Sequence, residues 1–373
     1  MPMAFTPRYT ISSAMALSLG EIERARQAIS DLPITARILT SLRDTARIAS
    51  THYSTAIEGN MLSAEEVRAV IAQREHFPNR AKDEQEVQNY YQALNYVEQL
   101  ANGKEALSEK TIQTIHGIAY NGRKRPSPYR DDQNVIRNGK LVVYIPPKDK
   151  DVAALMKGLV EWFNLGVKEF PIPIVAGLAH YQLATIHPYF DGNGRTARLL
   201  ATLVLHRHGY GLKGIYSLEE YYARNLKAYY DALTVGNDED YYEGKRAEGD
   251  LTQFLEYFIG GMVDSFVTIQ RKAERSASQG ATDQSLMLRS LLPEQRQVLK
   301  LFQTMETLAV IDIAEFFKIS DRQARRWCKA WTESGFLEIE DSKAKAHRYR
   351  LSEVYEALVL ETISQVHENI TSQ

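Results

Sequence analysis

The chain has 373 residues and one cysteine, Cys328. A single thiol excludes an internal disulfide framework and a cysteine-built zinc site within one chain, and it fits a reducing compartment. Excess charge is also missing. The 45 lysines and arginines stand against 47 aspartates and glutamates, a formal net charge of -2, so no strong field argues for wholesale nucleic-acid or membrane binding. No apolar run reaches the length of a membrane span. Residues 1–20, MPMAFTPRYTISSAMALSLG, lack a basic stretch leading into a long apolar core, so no signal peptide is expected. No repeat shows at solenoid periods, and no GxxxxGK[ST] loop of ordinary nucleotide-binding folds occurs. The expectation is a cytoplasmic globular protein of roughly two or three domains, with apolar content sufficient for a sizeable core.

What is present is concentrated in residues 187–198, HPYFDGNGRTAR. His187 is a base able to take a proton near neutral pH. Asp191 suits a hard divalent cation such as Mg2+, which combines carboxylate with phosphate oxygens. Gly192, Asn193 and Gly194 let the backbone approach a ligand closely. The following RTARLLATLVLH reads as a helix, so the amides of this turn would face an anion from a helix N-terminus. Arg195 and Arg198 are three apart, neighbours on one helix face, and each is able to grip phosphate oxygens in a bidentate way. Together these parts describe a site for phosphoryl or nucleotidyl transfer.

Along the chain, apolar spacing over residues 20–50 is interrupted by Pro33, which predicts two helices, and a third ends near Glu58–Gly59–Asn60. Gly59 and Asn60 are suited to capping it. Ser63 with Glu66 forms a capping box ahead of AEEVRAVIAQ. Helices follow over 82–101, from Ser108 to Tyr120, over 150–165 and 173–186, and later over 218–234 and 250–270. Residues 133–146, QNVIRNGKLVVYIP, alternate and carry Asn138–Gly139 between apolar runs, a strong hairpin signal. The polar stretch 272–286 reads as a linker or an exposed helix end.

The 187–198 segment resembles the signature of the Fic family, HxFx(D/E)GNGRxxR, with Tyr189 in the place of the usual Phe. The resemblance implies a mainly α fold, a Fic-type helical bundle with a β-hairpin flap, and transfer of AMP from ATP to a Ser, Thr or Tyr hydroxyl of a target protein. It implies that His187 is the catalytic base, that Asp191 holds Mg2+, and that the amides of Gly192 to Gly194 with the Asn193 side chain form the anion hole. Arg195 would contact phosphates and Arg198 the γ-phosphate, with Thr196 among the ATP-binding residues. Asn225 and Tyr229, within YYARNLKAYYDAL at 221–233, would contact the nucleotide, and Arg130 also fits a family position. The flap at 133–146 would bind an extended target segment by β-augmentation.

Ser54, three residues and Glu58–Gly59 match (S/T)xxxE(G/N), the inhibitory motif of Fic proteins. The resemblance is then to the branch whose inhibitory helix, about 45–60 here, precedes the core. Glu58 would pair with Arg198 and deny it to ATP; members of this branch often dimerise, so a homodimer is expected. The kinase-like Doc branch has lysine at the second glycine of the GNG turn, and Gly194 favours AMP transfer instead. The same glutamate in other members serves AMP removal, which stands as the alternative activity.

The organisation expected is an N-terminal helical region over 1–100, a catalytic core over 101–271, a linker over 272–286 and a small C-terminal domain over 287–373. That last part reads as three helices and a short hairpin and resembles a winged helix. Its recognition-helix equivalent carries Arg322, Arg325, Arg326 and Lys329, and the wing adds Lys343, Lys345 and Arg348, residues suited to DNA phosphates and bases. Glu333, Glu338, Glu340 and Asp341 interrupt the patch. A nucleotide-sensing DNA-binding regulator is therefore a second alternative.

Overall fold

The computed structural model of the chain describes residues 5–32, 34, 36–103, 105–236, 239–278, 291–299, 301–303, 305–340 and 347–356. Two compact units emerge: Met1–Arg26 with Thr45–Thr268, and Gln27–Asp44 with Ile269–Gln373. Helix α1 spans Ser13–Asp31 and α2 spans Ala36–Ile57. Helix α2 replaces the separate second and third helices expected there. Its sequence, ARILTSLRDTARIASTHYSTAI, holds neither glycine nor proline, so nothing breaks the backbone ladder. The chain stops the helix where Gly59 takes φ +97° and the Asn60 N–H donates to the Thr55 carbonyl at 3.1 Å, a left-handed closure that favours glycine. Helix α3, Ala64–Ile71, opens on the expected capping box: Ser63 Oγ accepts the Glu66 N–H at 3.2 Å, and Glu66 accepts the Ser63 N–H at 2.8 Å.

The centre of the first unit is built from α4 (Ala81–Ala101), α5 (Glu109–Asn121), α6 (Asp149–Glu169), α7 (Ile172–Ile186) and α8 (Asn193–Arg207). Helix α7 reads IPIVAGLAHYQLATI and is apolar around most of its circumference. Such a helix is stable only when surrounded; α6 and α8 pack along it, and α4 lies on α5 and α8. Its Ile174, Val175, Leu178 and Leu183 are fully buried with Leu199 and Leu200 of α8. Gly177 admits α11 (Thr252–Ser278), since a Cβ there would meet Leu255 and Phe258 at 3.0 Å.

The expected hairpin forms from β1 (Ile136–Asn138) and β2 (Leu141–Tyr144), antiparallel, with Asn138 opposite Leu141. It turns over Gly139–Lys140, one residue later than an Asn138–Gly139 turn, and its register shifts between Ile136 and Arg137. The helix expected over 218–234 is two: α9 (Glu219–Arg224) and α10 (Leu226–Leu233). The break is at Asn225, whose backbone is non-helical (φ -142°, ψ 77°) and whose side chain accepts the Ala228 N–H at 3.1 Å. A short polar side chain thus starts a new helix rather than continuing the old one. Helix α11 runs on to Ser278, so the polar stretch from 272 begins as helix; residues 279–290 lie outside the described residues.

The second unit contains α12 (Pro293–Val298), β3 (Thr307–Ala309), α13 (Val310–Phe317), α14 (Asp321–Glu333), β4 (Leu337–Ile339) and β5 (Arg348–Leu351). The strands form one antiparallel sheet in the order β3-β5-β4. Strand β3 was not legible: three residues merge with the apolar run of α13. Ser320 caps α14 through the Gln323 N–H at 3.3 Å, as expected. The core gathers Leu308, Ile313, Cys328, Trp331, Phe336 and Leu351, and burial pushes the Cys328 thiol up to about 11. Lys343 and Lys345 lie outside the described residues. Among the described residues no helix is long and apolar enough to cross a membrane.

Candidate active site

Helix α7 delivers His187 at its C-terminal end. Pro188 cannot prolong the ladder, and His187 turns into the left-handed region at φ 50°, ψ 58°. That conformation costs a non-glycine residue roughly 1–2 kcal/mol. Arg130, itself buried, offsets it: its Nε donates to the His187 carbonyl at 2.9 Å, its backbone N–H to the Pro188 carbonyl at 2.9 Å, and its Nη2 to the Pro147 carbonyl. His187 Nδ1 lies 3.2 Å from the Ala184 carbonyl. A carbonyl only accepts, so Nδ1 carries the proton and Nε2 presents its lone pair. Burial pulls the His187 pKa down to about 4, opposed by the Ala184 carbonyl and Glu58. The imidazole is therefore a neutral base at pH 7.

The turn after it is held from below. Gly192 caps α8 at φ 77°, and a Cβ there would meet His116 Nε2 at 3.1 Å. His116 Nε2 donates to the Asp191 carbonyl at 2.9 Å, and its ring stacks on Tyr189 with centroids 3.6 Å apart. Tyr189 thus fills the aromatic position of the signature, fully buried. Asn193 braces the loop: its amide accepts the Tyr189 N–H at 2.9 Å and donates to the Tyr189 carbonyl at 2.8 Å. Thr196 Oγ1 donates to the Gly192 carbonyl at 2.8 Å. Both residues shape the turn; neither lines the cleft.

Arg195 stands between two carboxylates. Its side chain, 3% exposed, faces Asp191 at 3.4 Å and Glu86 at 4.0 Å. Glu86 in turn accepts from Asn60 Nδ2 at 3.2 Å, and Asn60 Nδ2 also donates to the Asp83 carbonyl at 3.0 Å. The end of α2 is so tied to α4. Asp191 keeps 56% of its side chain exposed. Among the described residues no group of three or more His, Cys, Asp or Glu side chains stands ready for a metal. A single exposed carboxylate fits Mg2+, which retains waters and substrate phosphate as its remaining ligands.

Arg198 is the buried cation of the site. Its Nε donates to Ser54 Oγ at 2.8 Å, and its Nη2 donates to the Ser54 carbonyl at 3.0 Å and to Glu58 Oε1 at 2.7 Å. Burial pulls the guanidinium pKa down, but Glu58 and the hydroxyls of Tyr229 and Tyr90 outweigh it and raise it. Glu58 Oε1 passes so close over Gly194 that a Cβ there would collide with it. A cleft of about 850 Å³ is lined by Glu58, His187, Gly194, Arg198, Tyr229 and Tyr230 together with Ile136 and Val143 of the hairpin, a volume suited to a small-molecule ligand. Asn225 lies outside that lining, its side-chain oxygen engaged as the cap of α10. His116, Arg130 and Asn134, whose amide reaches the Phe190 carbonyl at 3.3 Å, hold the loop from elements distant in sequence, which no local pattern announces.

Residues 106–205 match the Fic/DOC family, and the chain thus carries a Fic domain. The protein adenylyltransferase Fic of Aedes aegypti is 29% identical over 241 residues, 63% of this chain and 44% of that protein. The protein of the same name from Nematostella vectensis is 30% identical over 198 residues, 52% of this chain and 45% of that protein. The chain thus spans less than half the length of these curated relatives. A Fic family protein from Desulfovibrio desulfuricans G20 has the same fold, with a TM-score of 0.60 at 24% identity, covering 93% of this chain and 98% of that one. Fic-1 (residues 134–508) from C. elegans aligns with a TM-score of 0.55 at 22% identity, over 71% and 73% of the two chains.

Burial also holds His116 and His206 down to about 4 and His180 to about 3. With His187 this makes four imidazoles that stay neutral in the fold while the unfolded chain takes up protons below about 6.5. The unfolded state then binds more protons as pH falls, so stability declines below pH 6.5 and keeps declining to about 4. Urea midpoints should fall already between pH 6.5 and 5, above the carboxylate range. A flat midpoint across that interval would refute the neutral, buried histidines.

Proposed function

We propose that this protein is an adenylyltransferase that moves AMP from ATP to a Ser, Thr or Tyr hydroxyl of a target protein, and that Glu58 restrains it. The observation that carries this reading is the 2.7 Å pair of Glu58 with Arg198 beside His187 in one cleft. The target hydroxyl oxygen attacks the α-phosphorus, the bond to the bridging oxygen breaks, and pyrophosphate leaves. The hydroxyl proton passes to Nε2 of His187, which is neutral and unencumbered for that purpose. Asp191 would hold Mg2+, which neutralises phosphate charge when bound. The first-turn amide of α8 at Gly194 faces developing negative charge, and Arg198 meets the γ-phosphate once Glu58 withdraws. Tyr229 and Tyr230 supply an aromatic wall for the base. On the hairpin, Leu141 and Val143 are exposed, which suits a strand of the target lying along β2.

Withdrawal of Glu58 is the controlling step. Glu58→Gly should raise labelling of protein by ATP carrying label on its α-phosphate, by at least about tenfold if the pair is worth more than ~1.4 kcal/mol. His187→Ala in that background should abolish it. Folded variants that label no more than the wild type, or labelling that survives the loss of His187, would overturn the reading. Release of AMP from an AMP-modified protein, in place of labelling, would assign Glu58 to the removal reaction.

For the second unit we infer a winged helix that docks on duplex DNA. Helices α13 and α14 are joined by only Lys318 to Ser320, a spacing that suits a helix-turn-helix. Arg322, Arg325, Arg326 and Lys329 are all exposed, while Ala324, Cys328 and Trp331 face the core. The four basic residues recur at helical spacing on one face; Lys329 also pairs with Glu333 at 3.8 Å. Anisotropy of a labelled random duplex should report binding that weakens with salt and is lost in R325E/R326E. No binding at low salt, or equal binding by the double variant, would sink this reading.

A further inference from the structure

The last four carbonyls of a helix have no partner within it, and at the end of α2 each finds one. The Ser54 carbonyl accepts from Arg198 at 3.0 Å. The Thr55 carbonyl accepts the N–H groups of Glu58 and Asn60 at 3.0 and 3.1 Å, and the Ala56 carbonyl accepts the Gly59 N–H at 3.0 Å. The Ile57 carbonyl is met from another element: the Tyr230 hydroxyl of α10 donates to it at 3.3 Å. That carbonyl and the Glu58 nitrogen belong to one planar peptide unit, so the contact fixes the backbone from which the Glu58 side chain projects. Beyond Glu58, Asn60 ties the chain to α4. Glu58 therefore stands between two anchors while its carboxylate reaches Arg198 at 2.7 Å. Tyr230 itself is 47% exposed and lines the cleft, and its ring leans on the buried Tyr229 with centroids 5.4 Å apart. The ring thus has a seat of its own, and the hydroxyl serves α2.

We propose that Tyr230 is a positioning residue for Glu58: its hydroxyl latches the end of α2 so that the carboxylate stays on Arg198. Phenylalanine at this position keeps the ring against Tyr229 and leaves the Ile57 carbonyl without its donor. The peptide unit leading into Glu58 then turns more freely, the carboxylate leaves Arg198 more often, and the guanidinium is open to phosphate for a larger fraction of the time. One side chain thereby joins the aromatic wall of the cleft to the restraint on its cation. The proposal rests on the reading of Glu58 as that restraint, and one of its two tests needs no nucleotide.

The first test follows amide hydrogen exchange of the nucleotide-free protein at Gly59 and Asn60, the two residues whose N–H groups close the end of α2. Exchange there should quicken by about fivefold in Y230F, the loss of one ordinary hydrogen bond; an unchanged rate would overturn the proposal. The second test measures protein labelling from α-labelled ATP by the wild type, Y230F, E58G and E58G/Y230F, a double-mutant cycle. Y230F should raise labelling by about fivefold where Glu58 is present and bring no gain in E58G, which has no carboxylate left to latch. No gain in either background, or the same gain in both, would show that the hydroxyl does not act through Glu58. If none of the four proteins labels, the reading of the cleft falls, and the exchange rates still decide whether Tyr230 holds the end of α2.

Discussion

A guanidinium with 1% of its side chain exposed cannot sit in a protein interior alone. Removing its last partner costs on the order of 3–5 kcal/mol, and much of the site's architecture follows from that constraint. The last two turns of α2 carry Ser50, Thr51, Ser54 and Thr55, all buried, on a face that in most helices would be apolar. Ser54 supplies two acceptors to Arg198, one from its side chain and one from its backbone. The helix must then stop at Ile57 so that Glu58 reaches the same cation, and the left-handed Gly59 fixes the place. A helix end, a buried cation and a glycine over which the carboxylate passes are one interlocking arrangement.

The His187 imidazole is organised by a different constraint. His187 occupies a backbone conformation that a histidine adopts only under compulsion. Compulsion comes from α7, which is rigid because it is buried on nearly all sides, and from Arg130, which donates to the carbonyls of His187, Pro188 and Pro147. The imidazole tautomer follows, since the Ala184 carbonyl leaves Nε2 as the nitrogen facing outward. Rigidity on this side contrasts with the Glu58 side, where the carboxylate is partly exposed and held by a single short contact.

The legibility of this molecule in its sequence divides along the same line. Local signals were readable because they act within one turn: the Ser63–Glu66 box, the Gly59 stop, the Ser320 cap, and the run from His187 to Arg198. The Glu58–Arg198 pair, separated by 140 positions, came from a family resemblance. What the linear string leaves out depends on distant partners. Asn193 and Arg195 read as ligand-binding groups in a linear string, and their further contacts with Tyr189 and Glu86 appear only in the folded chain. Asn225, expected as a nucleotide contact, also caps α10. His116, Tyr90 and Glu219 lie in segments whose pattern says only amphipathic helix, because a buried polar network is built from single residues contributed by several elements.

The position of Glu58 argues for a restraint that yields. It sits just past the C-terminal end of α2, where the helix dipole disfavours negative charge by roughly 0.3–1 kcal/mol. Its pairing with Arg198 must exceed that penalty, but the surplus is smaller than the burial of Arg198 alone would suggest, because Glu58 retains contact with water. A phosphate group brings more charge and more acceptor oxygens than a carboxylate, and from the cleft it would meet the guanidinium where Ser54 does not compete. Under the proposed function, exchange of one anion for the other would proceed without stripping Arg198 bare. A site that holds its cation permanently and the paired carboxylate loosely can exchange that anion by modest displacement of a single side chain.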